Sequence, residues 1–277
     1  MNNLNYKIWT NEEDRLLQKL VNGQTSYTEI AKQFVNRSSN SCRLRARRYL
    51  DLENKNYVHR LYSYDQNFWS TPNPTNCYWA GFCAADASII PYAQNKKGYT
   101  FCLELSIHDL NHLNELKNAV NYTGVIEVSK DKKLCKFRIH GIEETWKNHL
   151  EKNFNIIPRK TKRLFPPFLD DKFLQFCYFI GYIDGDGCIC LDKNRRFSVS
   201  ITSASKTILE WMKNITDQFI GKRKKKRSIQ YKNNYAVFRL SGQSAVNLFN
   251  YLKDFPVPKL ARKWNNPKIL NFISQNV

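Results

Sequence analysis

The hydrophobic positions of this chain change their period along its length, and the order of those changes occurs twice. Residues 79–87 (WAGFCAADA) form an apolar run of helical character that ends on a carboxylate. Residues 87–93 then read as a strand, 94–98 as a turn, and 99–107 alternate as a second strand. Leu110, Leu113, Leu116 and Val120 put a buried stripe on a helix over 109–120. Residues 125–128 and 134–139 predict a hairpin around 131–133, and a helix over 142–153 carrying Trp146 and Leu150 closes the unit. The second passage opens with residues 179–187 (FIGYIDGDG). Strands at 188–191 and 197–201, a helix over 208–220, a hairpin of 229–231 with 235–240, and a helix over 245–252 follow in the same order.

The two passages keep register. Gly81 matches Gly181, Phe82 matches Tyr182, Ala85 matches Gly185 and Asp86 matches Asp186, each pair one hundred positions apart. Arg138 follows Asp86 by 52 residues, and Arg239 follows Asp186 by 53. A repeat of this length and order predicts an α+β protein of two αββαββα units, over 77–167 and 168–277, each with a four-stranded antiparallel sheet covered by helices on one face. Gly81 with Ala85, and Gly181 with Gly185, lie four apart and give each apolar helix a face of small residues. Two such faces allow close backbone approach, which would bring Asp86 and Asp186 out side by side. Carboxylates that close do not both stay ionised without a cation between them, and hard oxygen donors favour Mg²⁺ or Mn²⁺. Asp184 has Ala84 opposite it, so it is expected to cap or contact structure and to be dispensable.

The first 52 residues follow a different pattern. Asn11 and the acids Glu12, Glu13 and Asp14 suit a helix start, with Leu16, Leu17, Leu20 and Val21 behind them. A second helix runs from about Ser26 through Ile30, Ala31 and Phe34, and a third begins near Ser38. The third carries Arg43, Arg45, Arg47 and Arg48, which suits a helix that enters a DNA groove. Residues 53–76 are polar and aromatic and end in STPNPTN, where two prolines disfavour helix, so they are assigned to a linker.

Charge sharpens the picture. Lys and Arg number 44 against 24 Asp and Glu, a net charge of +20, and such an excess points to a polyanion partner. On the open faces of the sheets the candidates for DNA contact are Lys96, Lys97, Lys136 and Arg138 in the first repeat. In the second they are Lys193, Arg195, Arg196, Ser198, Ser200, Gln230, Lys232 and Arg239. Lys224 and Lys225 sit in the cationic run 221–227 (GKRKKKR), a candidate phosphate grip. No run is long and apolar enough for a membrane span, and the N-terminus lacks the apolar core of a signal peptide, so a cytoplasmic or nuclear rather than secreted protein is expected. The eight cysteines lack a CxxC pair; Cys188 and Cys190 would share a strand face, as metal ligands or as buried free thiols.

Two resemblances follow from these residues. Trp9-Thr10, Glu12 to Asp14, Ile30-Ala31, Arg37-Ser38 and Cys42-Arg43 resemble a Myb/SANT-like repeat, with Tyr27 and Ala46 standing where that family usually has tryptophans. The stretches 79–87 and 179–187 resemble the LAGLIDADG motifs of single-chain, two-motif homing endonucleases, with Ala84 and Ala87 as departures in the first. That resemblance covers about residues 68–277. It implies a saddle of antiparallel sheets, a monomer, and double-strand cleavage of a DNA target. It places metal at Asp86 and Asp186, with Ala85 and Gly185 beside them. The segments 157–161 and 260–264 resemble those that bring a lysine to the scissile phosphates, making Lys160 and Lys263 catalytic candidates. The alternatives are a maturase that binds intron RNA on the same core, and a DNA-binding regulator derived from an inactive nuclease.

Overall fold

A computed structural model describes residues 8–22, 26–50, 52, 62–92, 98–220 and 228–275, and the chain divides into two compact units, Met1–Leu61 and Tyr62–Val277. Lys96, Lys97, Lys224, Lys225, the rest of the 221–227 run and residues 53–61 lie outside the described residues.

In the first unit, α1 (Asn11–Asn22) starts on a reciprocal cap: Thr10 Oγ1 accepts from Glu13 N at 3.1 Å and the Glu13 carboxylate accepts from Thr10 N at 2.9 Å. Ser26 caps α2 (Tyr27–Ala31) and Ser38 caps α3 (Ser39–Tyr49), each accepting at 3.1 Å from the third residue on. Leu17, Val21, Ile30, Phe34, Cys42 and Ala46 form the core, and Trp9 packs edge-on against Phe34. The core closes around the small Ala46, which is fully buried.

The second unit holds both repeats. Helix α4 (Pro74–Asp86) begins on an Asn73–Asn76 capping box with Pro74 in its first turn, and β1 (Ser88–Pro91), β2 (Tyr99–Ser106), β3 (Glu127–Val128) and β4 (Leu134–Ile142) follow with α5 (Leu110–Ala119) and α6 (Glu144–Phe154). The matching set is α7 (Lys172–Asp186), β5 (Gly187–Leu191), β6 (Phe197–Ser203), α8 (Lys206–Ile220), β7 (Ile229–Tyr231), β8 (Ala236–Ser241) and α9 (Gln243–Lys253). Both sheets are antiparallel with the same strand order, β1-β2-β4-β3 and β5-β6-β8-β7. One continuous core joins the inner sheet faces, the covering helices and the α4–α7 pair.

That pair touches at backbone level. A Cβ on Gly81 would stand 1.9 Å from Tyr178 O, and one on Gly181 1.9 Å from Tyr78 O, so each glycine is needed where it lies. One turn on, a Cβ on Gly185 would fall 2.3 Å from that of Ala85, so only one of the two positions has room for a methyl group.

The structure departs from the sequence reading in several places, and α2 ends at Ala31, short of Phe34. Residues 62–76 are not linker: Tyr64 and Trp69 are buried, Glu143 N donates to Tyr64 Oη at 2.9 Å and Trp146 Nε1 donates to Asp65 O at 3.1 Å. The aromatics anchor the segment, and Pro74 starts a helix, where its missing N–H costs nothing. The helix expected from Ile142 starts at Glu144, since Ile142 still pairs with Tyr99 at the end of β4, past an irregularity at Gly141 (φ 67°). Residues 107–109 form a 3-10 turn ahead of α5. Two C-terminal helices, α10 (Ala261–Trp264) and α11 (Pro267–Ser274), follow α9, and Asn266-Pro267 with the spacing of Ile269 and Ile273 accounts for the second.

Candidate metal centre and nucleic-acid interface

Asp86 and Asp186 are the last residues of α4 and α7. The chain leaves both helices in the same extended conformation, φ −77°, ψ 155° at Ala87 and φ −92°, ψ 164° at Gly187, so alanine in place of glycine does not alter the exit. Both carboxylates reach solvent but stand in crowded surroundings. Burial of its surroundings first, then the charge of Asp186, pushes Asp86 up to about 6, against the pull of Lys263, Lys160 and Arg262. Burial also raises Asp186, opposed by Lys160 and Lys263.

Two consequences follow. A proton retained between the ordinary 3.8 and about 6 makes ionised Asp86 a cost to the folded chain above pH 6 that is absent below pH 3.8. Asp86→Asn should therefore raise the melting temperature of the cation-free chain above pH 6, with the gain fading as pH falls toward 4. Solvent screening keeps the gain small. Adding Mg²⁺ should stabilise the parent chain and not the variant; thermal melts across that range check both. The donor set also suits a hard divalent cation. Among the described residues no cluster of three or more His, Cys, Asp or Glu side chains is placed to hold a metal. The two carboxylates with the carbonyls of Ala85 and Gly185 fit an ion that keeps several of its own waters, as Mg²⁺ does.

The two candidate lysines converge on the same helix ends. Lys160, in a 3-10 turn behind Arg159 at φ 58°, donates from Nζ to Ala85 O at 3.1 Å. Lys263, on α10, donates to Ile183 O (2.8 Å), Asp184 O (2.7 Å), Gly185 O (3.2 Å) and Gly187 O (2.7 Å). Burial lowers the pKa of both, against the nearby carboxylates. The neighbouring Arg262 is engaged with Asp109 at 3.1 Å.

Asp184 contacts structure, as expected, but it holds far more of it than a dispensable cap would. It is buried and accepts from Tyr78 Oη (2.8 Å), Leu260 N (2.8 Å) and Trp264 Nε1 (2.6 Å), while Tyr78 Oη also meets His112 Nε2 at 2.8 Å. This network links both repeats to the C-terminal segment; Trp264 closes the singled-out segment 260–264, whereas Tyr78 and His112 carry no motif that would reveal them. Its pseudo-symmetric counterpart is missing. Tyr178 Oη is buried without a partner, and the residue opposite Asp184 in the repeat is Ala84.

The open sheet faces differ. On the first, Lys136 pairs with Glu104 and Arg138 with Glu127 at 3.0 Å, so these two cations stand beside acids. On the second, Cys188, Ser200 and Arg239 lie in one row across three strands, Cys190 and Ser198 are paired beside them, and Gln230 sits on the edge strand. Arg239 is exposed, and Cys188 and Cys190 lie on this face rather than in the core. Lys193, Arg195, Arg196 and Lys232 occupy the tips of the two hairpins, with Arg195 donating to Gln275 at 3.0 Å.

In the N-terminal unit, Arg43, Arg47 and Arg48 are exposed on α3, but Arg45 is not available as expected. It forms a forked pair with Asp14 (2.8 and 2.6 Å) and stacks on Tyr49. Arg45→Gln should lower the stability of this unit. Arg47→Gln should leave the fold intact and reduce the salt dependence of DNA binding by about one counterion; melts and salt titrations separate the two.

Comparison with known proteins agrees with both resemblances. Residues 7–50 match the Myb-like DNA-binding domain and residues 174–253 match the LAGLIDADG-like domain. No curated protein matches the sequence. Among solved structures, the LAGLIDADG meganuclease I-AabMI bound to uncleaved DNA is 16% identical, with a TM-score of 0.51 over 74% of this chain and 90% of that one. The LAGLIDADG homing endonuclease I-LtrWI bound to target DNA is 12% identical, with a TM-score of 0.49 over 76% and 91%. The chain is a two-repeat protein of the LAGLIDADG homing endonuclease fold that carries an N-terminal Myb-like DNA-binding domain.

Proposed function

We propose that the chain is a site-specific DNA endonuclease that hydrolyses one phosphodiester bond in each strand, using a divalent cation held by Asp86 and Asp186. One observation carries this reading: two helices in backbone contact deliver one solvent-reaching carboxylate each to the same place. A bound Mg²⁺ would supply an activated water and neutralise charge on the attacked phosphate. The chain's own parts do the rest. The sheet faces dock on the duplex and set its register, Asp86 and Asp186 present a pair of carboxylates whose joint ionisation a cation between them favours, and the Myb-like unit lengthens the contacted site. A protein that only binds phosphate would gain affinity by losing both acids, so a binding-only role fits the site less well.

The test uses a duplex recovered from a randomised pool by binding to the full chain. Incubation with Mg²⁺ should give discrete breaks in both strands, and EDTA should prevent them. Binding with no breaks under any divalent cation, or preference for folded RNA over duplex DNA, would overturn the reading.

A further inference from the structure

Lys160 and Lys263 come from matching segments of the two repeats, yet they differ in how much hydrogen-bonding capacity they have left. An ammonium group has three N–H donors. Lys263 Nζ faces four carbonyl oxygens within 3.2 Å at the end of α7, which saturates it. Its backbone is pinned as well, because Asp184 accepts from Leu260 N and Trp264 Nε1 on either side of it. Among the described residues Lys160 Nζ has one carbonyl partner, Ala85 O, which leaves donors unspent, and the charges of Asp186 and Asp86 bear on it. The cause is local: Ala84 offers neither the Tyr178 hydroxyl nor the 157–161 segment the acceptor that Asp184 offers their counterparts.

We propose that Lys160 alone of the pair donates to the reacting phosphate or its attacking water, and that Lys263 is an internal clamp on the α7 end. The strand facing Lys160 is then cut first, through a duplex nicked in that strand. This deepens the endonuclease reading and rests on it. The reaction is plain hydrolysis: the water oxygen bonds to phosphorus, one P–O ester bond breaks, and the departing sugar oxygen takes a proton. Donors kept for the charge that develops on the phosphoryl oxygens act on this step, whereas donors already committed to carbonyls do not.

Two measurements test the proposal. In the full chain without DNA, ¹⁵N-lysine spectra should show Lys263 ammonium protons protected from exchange with water and those of Lys160 unprotected; equal or reversed protection overturns it. With a duplex recovered by selection and labelled on each strand, the parent chain should accumulate one nicked species before the linear product. Lys160→Met should slow that first cut about 100-fold, the typical loss for one transition-state donor, with an unchanged melting temperature. Lys263→Met should lower the melting temperature and slow both strands alike, and Lys263→Arg, which can still donate to the carbonyls, should restore both. Equal strand rates in the parent chain, or Lys160→Met slowing both strands equally, overturns the proposal. If no duplex is cut at all, the endonuclease reading fails, while the exchange measurement still decides between the lysines.

Discussion

Asp86→Asn and Asp186→Asn should each abolish double-strand cleavage while duplex binding persists. The substitution keeps the side chain's shape and removes one of the two charges that a cation would bridge. Loss of a ligand removes several kcal/mol of transition-state stabilisation, and at about 1.4 kcal/mol per factor of ten the rate should fall by three orders of magnitude or more. Misfolding does not explain such a loss, because relieving a crowded carboxylate favours the folded chain. Single-turnover cleavage of an end-labelled duplex, beside a binding titration, checks both halves of the expectation. Retention of double-strand cutting by either variant would refute a shared site. Asp184→Asn, two residues away, should behave differently. It turns an acceptor of three hydrogen bonds into a group that must oppose a donor to one of them, at a cost of about 1–3 kcal/mol of stability.

Gly181→Ala is the second large effect. The added methyl carbon would sit 1.9 Å from Tyr78 O and 2.8 Å from Phe82 N, both backbone atoms of α4 that no rotamer change can move aside. Gly81→Ala meets the same obstacle at Tyr178 O. The helices must part along their length, and the cost should reach or exceed the upper end of the ~1–3 kcal/mol typical of overpacking. At about 2–4 °C per kcal/mol for a unit of this size, melting should drop by roughly 10 °C. Cleavage should fall further than stability does, since the same displacement separates Asp86 from Asp186. Circular dichroism melts with cleavage assays on the surviving folded fraction check this; an unchanged melting temperature would refute the backbone contact.

The duplicated apolar helices, both sheets and the aspartate pair were legible in the sequence because each rests on local periodicity or on repetition at fixed spacing. What was not legible depends on partners far along the chain. Proline and polar residues marked 53–76 as linker, yet Trp69 and Tyr64 find Trp146 and Glu143 some eighty residues on. Four arginines on α3 looked alike until Asp14, on another helix, claimed Arg45. Asp184 seemed dispensable beside Ala84 because its partners, Tyr78, Leu260 and Trp264, come from three separate segments. The same comparison singled out the two acids that the structure brings out at matching helix ends, since symmetry shows which acids are duplicated but not which are buried.

The backbone contact at Gly81 and Gly181 also acts as a ruler. On the proposed reading, the offset between the two broken bonds is the spacing between two helix ends, and that spacing is fixed by carbonyl oxygens and α-carbons rather than by adaptable side chains. The open sheet faces lie outside that contact. Their row of Cys188, Ser200 and Arg239, or the pairs around Lys136 and Arg138, can change without touching it. Overhang length should therefore stay constant among variants whose preferred DNA sequence has drifted, so the geometry of the ends and the choice of the site are separately adjustable.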